Sequence, residues 1–263
     1  MFLYLSLLTL LYSSYGVPDH ASKIPIFSVN DRWTFSESFH SEIDAKSSGN
    51  AKQFEFPEPS QSTDNGNLRR DFTVLSTDQV GLPNKFSITY NIQDPKTATA
   101  DSPVIGKSFS VDITLTKPVV SSPDAKEISE KVQQFVIRDS KRMLDYIAAM
   151  KQFAGLNIGT EQEQELSVEL GCSILGLPSD QVDHMTIKLV ATKPSLKYSL
   201  TILSKGDIKQ QITTHGVLSI KYDWSTLNGS LTTSSTKEVS SDATNIKVES
   251  NTSLDIVREL AKH

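Results

Sequence analysis

The sequence predicts an α+β fold. One or more mostly antiparallel, curved sheets pack on a central helical segment at about 123–154, and a short C-terminal helix closes the chain. Three observations predict this. Apolar residues alternate with polar ones in short runs through the first and last parts of the chain. The period lengthens to that of a helix between residues 122 and 155. Strands gather before and after that helix instead of alternating with helices, which argues against a parallel βαβ sheet.

The elements follow in order. From Asp31, the residues Trp33, Phe35, Phe39 and Ile43 fall on one side of an alternating run that Glu37 interrupts. Gln53-Phe54-Glu55-Phe56 opens a second strand. Residues 57–67 are a polar cluster rich in breakers and read as a surface loop. A strand over 68–77 places Phe72 and Val74 on one face, and Phe86, Ile88, Tyr90 and Ile92 alternate in the next. Residues 94–103 form another loop. Phe109, Val111, Ile113 and Leu115 mark a strand that Pro118 ends, because proline cannot donate to the ladder.

Ser122-Pro123-Asp124 reads as a helix start, with a capping serine, proline at the first helical position and an acid in the first turn. Ile128, Val132, Phe135 and Val136 begin an apolar stripe. Met143, Leu144, Ile147 and Ala148 resume it after the polar stretch Arg138-Asp139-Ser140-Lys141-Arg142. Glu127 and Lys131 have the spacing of a helical ion pair, and Gly155 ends the segment. Leu166, Val168 and Leu170 predict a strand to residue 170, followed by a helical turn to Leu177-Pro178; Thr160 and Glu163 have the competing spacing of a capping box. Strands return at Met185, Ile187 and Leu189, then at Tyr198, Leu200 and Ile202. Lys205-Gly206-Asp207 reads as a tight turn before a strand through Ile208 and Ile212. Leu218, Ile220, Tyr222 and Trp224 form a further strand, and Asn228-Gly229 signals a hairpin to the next, through Leu231 and Thr233. After a last strand over 245–249, Ser253 caps a closing helix carrying Leu254, Ile256, Val257 and Leu260. No linker divides the β-rich stretches 31–116 and 163–250, so residues 31–263 read as a single domain with two β-rich halves joined by a helix.

The chain begins with about twelve almost wholly apolar residues and then Ser14-Tyr15-Gly16. The run is too short to span a bilayer, and the small residues suit signal peptidase. Residues 1–16 are therefore read as a secretory signal cut near Gly16-Val17, and 17–30 as an irregular lead-in. The expected location is periplasmic, cell-envelope or extracellular, with no integral span in the mature chain. The 263 residues carry a net charge of −5, with 37% apolar content and one cysteine. Mild acidity argues against a nucleic-acid partner. A single Cys172 excludes an intramolecular disulfide and a cysteine-built zinc site; it reads as a small buried apolar residue. Asn228-Gly229-Ser230 and Asn251-Thr252-Ser253 match the glycosylation pattern.

Each catalytic or ligand motif fails in a specific way. Gly106-Lys107-Ser108 resembles the end of a phosphate loop, but Asp101 stands where the first glycine belongs and a strand follows. Gly171-Cys172-Ser173-Ile174-Leu175 has Leu175 where a nucleophile elbow at Ser173 needs glycine. The histidines are 20, 40, 184, 215 and 263, and none pair at helical spacing for a metal. Asp64-Asn65-Gly66-Asn67 lacks the alternating ligands and closing glutamate of a calcium loop. Arg69-Arg70 is an isolated basic pair, and the helix's basic residues are balanced by Glu127, Glu130, Asp139 and Asp145. No catalytic, cofactor-binding or metal-binding residue is assigned.

Residues 106–233 resemble the uncharacterised exported β-rich proteins of planctomycete-type bacteria. The features are Gly106-Lys107-Ser108-Phe109-Ser110-Val111, a helix, Asn157-Ile158-Gly159-Thr160, Leu175-Gly176-Leu177 and Ser204-Lys205-Gly206-Asp207, with Trp33 in the first strand. The resemblance implies export and a β-rich fold; it brings no activity and no functional residue. The leading expectation is an exported, non-enzymatic binding or envelope-associated module whose partner is an envelope protein or an apolar small molecule. A second is a carrier of a lipid or other apolar ligand, in a cavity lined by Phe135, Val136, Met143, Ile147 and strand aromatics. A third is an enzyme with a site near His184 and His215.

Overall fold

Alternating runs need partners, and here they find them along one continuous ladder. The computed structural model describes residues 25–49, 60–92, 104–114, 117–124, 127–191, 193–205, 212–241 and 244–263. The signal sequence, the lead-in before Pro25, the strand opening at Gln53, the loop at 94–103, Leu115, and Gly206 to Ile208 lie outside them. Among the described residues there are eleven strands and two α-helices. They are β1 (Arg32–Gly49), β2 (Ser60–Thr77), β3 (Pro83–Asn91), β4 (Ser108–Asp112), β5 (Val119–Ser121), α1 (Glu130–Ala154), β6 (Glu163–Glu165), α2 (Val168–Leu175), β7 (Val182–Ala191), β8 (Ser195–Ser204), β9 (Ile212–Lys221), β10 (Thr226–Ser241) and β11 (Thr244–Lys262).

All strands form one antiparallel sheet in the order β5-β4-β3-β2-β1-β11-β10-β9-β8-β7-β6. The two β-rich stretches are thus one sheet, joined where β1 meets β11. There Phe35 faces Leu260, Glu37 faces Arg258 and Phe39 faces Ile256. The core lies on the face that α1 and α2 cover. Phe35 packs 5.4 Å from Tyr146, and Phe153 packs 5.1 Å from Tyr198. Val132, Val136, Met143, Ile147, Met150 and Phe153 on α1 are buried there with Phe72, Ile88 and Leu196 from the strands. Alternate residues turn to the other face. Lys197, His215, Ser230 and Thr232 are exposed on it, and Val217 is 49% exposed.

Several expectations need correction. The closing helix at Ser253 is absent: residues 244–262 are strand β11. Leu254, Ile256, Arg258 and Leu260 lie at every second position, so the true period is two. The arginine in the series hid it. Residues 60–67 are strand, not loop, because β1 pairs with them as far as Ala45↔Ser60. Asn228-Gly229 is not a turn: both lie inside β10. The chain turns at residues 222–225, where Trp224 takes φ 61° and Asp223 accepts from both the backbone N–H and hydroxyl of Ser225. Gly229 has a packing reason, since a Cβ there would sit 3.2 Å from Leu218. Helix α1 starts at Glu130, with Ser129 before it, so Glu127 lies outside the helix and has no helical spacing to Lys131. The predicted strand to residue 170 stops at Glu165, and the helical turn expected after it starts earlier, as helix α2 from Val168. Ser167, not Thr160, caps it by accepting from the Leu170 backbone N–H.

Candidate functional site

Three strands each place one charged side chain in phase with apolar ones on the covered face. Glu37 stands between Phe35 and Phe39, Arg70 between Leu68 and Phe72, and Arg258 between Ile256 and Leu260. Helix α1 brings Asp139 and Ser140, from the polar break in its stripe, onto the same face. The result is a charged seam inside the apolar layer.

Arg70 is fully buried and donates twice to Asp139, from Nε at 2.7 Å and Nη2 at 2.6 Å. Glu37 takes Arg258 Nε on one oxygen and Arg142 Nη2 on the other, each at 2.6 Å. Arg142 also lies 3.6 Å from Asp139, linking the two pairs. Arg258 Nη1 and Nη2 donate to the carbonyls of Ile174 and Leu175 at the end of α2. A cation is favoured at that negative pole. The next residue, Gly176, has φ 73°, and a Cβ there would meet Arg258 Nη2 at 2.5 Å. Glycine is thus required twice, by conformation and by space. The guanidinium of Arg70 lies 5.2 Å over the Phe35 ring, and that of Arg258 lies 5.0 Å over Tyr146. The two contacting aromatics therefore sit between two arginines.

Electrostatics follow from this geometry. Burial would push the Glu37 carboxyl up, but Arg258, Arg142 and Arg70 outweigh it and hold it below the usual range. Burial opposes the charge on Arg70, and the bond to Asp139 overcomes it, so the guanidinium is held more firmly protonated. Burial pushes the Tyr90 and Tyr146 hydroxyls up, and Tyr198 up to about 12, so all three stay protonated. The charges of the seam are engaged with one another, and they tie α1 and α2 to β1, β2 and β11.

The residues singled out by sequence lie elsewhere. His184 is on β7, 59% exposed, 3.7 Å from Glu165 and 3.8 Å from Asp183. His215 is on β9, with Nδ1 3.4 Å from the Thr201 hydroxyl. Strand β8 separates the two histidines, His184 opposite Leu203 and His215 opposite Thr201, so two strand spacings and a two-residue offset hold them about 12 Å apart. His40 contacts Glu42 at 3.1 Å, and His263 Nε2 lies 2.6 Å from the Thr34 hydroxyl. Gly106, Lys107 and Ser108 lead into β4 and border a groove of about 550 Å³ with Phe109, Ile128 and Val132. Ser173 is half-buried in α2. Cys172 is buried, and burial together with Glu169 pushes its thiol up, away from the reactive thiolate. Residues 64–67 belong to β2. Arg69 and Arg70 part company: Arg69 turns to the open face and bonds Asp71 at 3.0 Å, while Arg70 turns inward.

Among the described residues no group of three or more His, Cys, Asp or Glu is placed to hold a metal ion. Among them, no helix is long and apolar enough to cross a membrane. No protein-family model matches the chain, and no curated protein matches it.

Proposed function

We propose that this is an exported, non-enzymatic binding module, associated with the cell envelope, that meets its partner through the helix-free face of its sheet. The reading rests on one observation: the two faces have different tasks. Charges on the covered face are spent on one another in the seam. The other face presents exposed Lys197, His215, Asn228, Ser230, Thr232 and Asp255 without a covering element among the described residues. The leader-like residues 1–16 and the resemblance to exported β-rich proteins support export. A photoreactive residue at Lys197 or Thr232 tests the reading in exporting cells, with exposed Lys141 on α1 as control. Adducts from the sheet positions alone are expected. Adducts from Lys141 alone would overturn it.

The carrier reading keeps a specific support. On the helix side, beyond the covered strip, Phe39 is 36% and Ile43 39% exposed. A sheet curved around α1 would turn these toward an apolar guest. Against it, Val136, Met143 and Ile147 are closely packed in the core. Native mass spectrometry of residues 17–263, exported and purified without detergent, separates the two. A lipid-like mass that leaves on denaturation favours the carrier. The enzyme reading has the least support, because His184 faces solvent and a strand parts it from His215.

A further inference from the structure

The seam leaves three polar atoms over. Arg70 Nη1, the Tyr90 hydroxyl and Ser140 Oγ are all buried and make no hydrogen bond of good geometry within the protein. Arg70, Tyr90 and Ser140 have essentially no exposed surface. They belong to one place. Tyr90 is the direct cross-strand partner of Arg70. Ser140 follows Asp139, which takes the other two contacts of the same guanidinium. The Tyr90 hydroxyl lies beside both Asp139 and Ser140.

We infer that the sheet–helix seam binds one internal water molecule, held by Arg70 Nη1, Ser140 Oγ and the Tyr90 hydroxyl. The chemistry selects the ligand. A guanidinium N–H only donates, so the ligand must accept. Hydroxyls both donate and accept, so a ligand able to do the same satisfies all three atoms. Water does this with three bonds, the usual number for a buried water. An anion also accepts, but the two buried arginines, Arg70 and Arg258, are matched by Asp139 and Glu37, the third, Arg142, is half exposed to solvent, and an anion here would lie against the Asp139 carboxylate. A direct bond between Tyr90 and Ser140 would leave Nη1 without a partner in a dry site, which is costly.

Oxygen-17 magnetic relaxation dispersion on the exported chain counts long-lived waters. Wild type is expected to show one more than the double variant Tyr90→Phe/Ser140→Ala. Equal counts in the two would overturn the proposal. Should the double variant not fold, each single variant is measured against wild type by the same count. A crystal soaked in bromide gives the second readout. Anomalous density between Arg70 and Ser140 would make the site an anion site, and a direct Tyr90–Ser140 bond with no density beside Nη1 would remove the water. Either result contradicts the inference.

Discussion

A handful of charged side chains, Glu37, Arg70, Asp139 and Arg258, are buried in an apolar layer. Removing one partner of a buried pair leaves the other uncompensated and costs about 3–5 kcal/mol. Asp139→Ala should therefore destabilise by about that amount in urea unfolding, since it leaves the fully buried Arg70 without the carboxylate it bonds. The pair replaced together, Arg70→Met with Asp139→Leu, should recover most of the loss, because apolar groups of similar volume suit that layer. Glu37 makes the seam sensitive to acid. Its carboxyl is held below the usual 4.5, so its contribution is complete above that value and is lost as pH falls through the lower folded value. Stability measured from about pH 6 down to about pH 3 should fall more steeply for wild type than for Glu37→Gln, which starts less stable. A residue of this kind is legible only afterwards. Arg70, Glu37 and Arg258 each stand where an alternating pattern asks for an apolar side chain. Period reading treats such a residue as an interruption. It is in fact the signal that a partner of opposite charge lies on the facing layer.

At the scale of elements, strands with one clean apolar face were readable. Phe86, Ile88 and Tyr90 in β3, and Tyr198, Leu200 and Ile202 in β8, alternate without exception, and the burial follows them. Helix α1 was readable from its stripe, and Gly155 as its end. The failures have separate physical causes. Residues 60–67 lack an apolar face, and only their pairing with β1 makes them a strand. In β11 the buried Arg258 masks the period, leaving Ile256, Val257 and Leu260 to imitate a helix. Asn228-Gly229 has strong local turn chemistry, yet neighbours on both sides of β10 override it. The same crowding makes a prediction at Gly216, which faces Leu231. A Cβ there would come within 2.3 Å of the Leu231 side chain and 2.8 Å of the Ser230 carbonyl oxygen. Gly216→Ala should therefore cost about 1–3 kcal/mol in thermal or urea unfolding, as overpacking does.

For the whole molecule, the decisive contact is the one between the first and last strands. Without β11, the strands of the two halves have no shared ladder, and Arg258 no longer joins Glu37 to the end of α2. A chain truncated after residue 250 should lose its cooperative unfolding transition by circular dichroism. This joint could not be read from the sequence, because the antiparallel pairing of 33–49 with 246–262 is set by registry across the full length of the chain. The candidate site was invisible for the same reason: its members come from β1, β2, β11, α1 and α2, and no local motif unites them. Helix α1 is clamped to the sheet by that seam and is not a lid over a ligand space. Native-state amide hydrogen exchange tests this most directly. The central amides of α1, around Asp139 to Ile147, should exchange only through global unfolding, with the same opening free energy as β1 and β11. Exchange of α1 at a distinctly lower opening free energy, while β1 and β11 stay protected, would contradict it and favour a helix that opens.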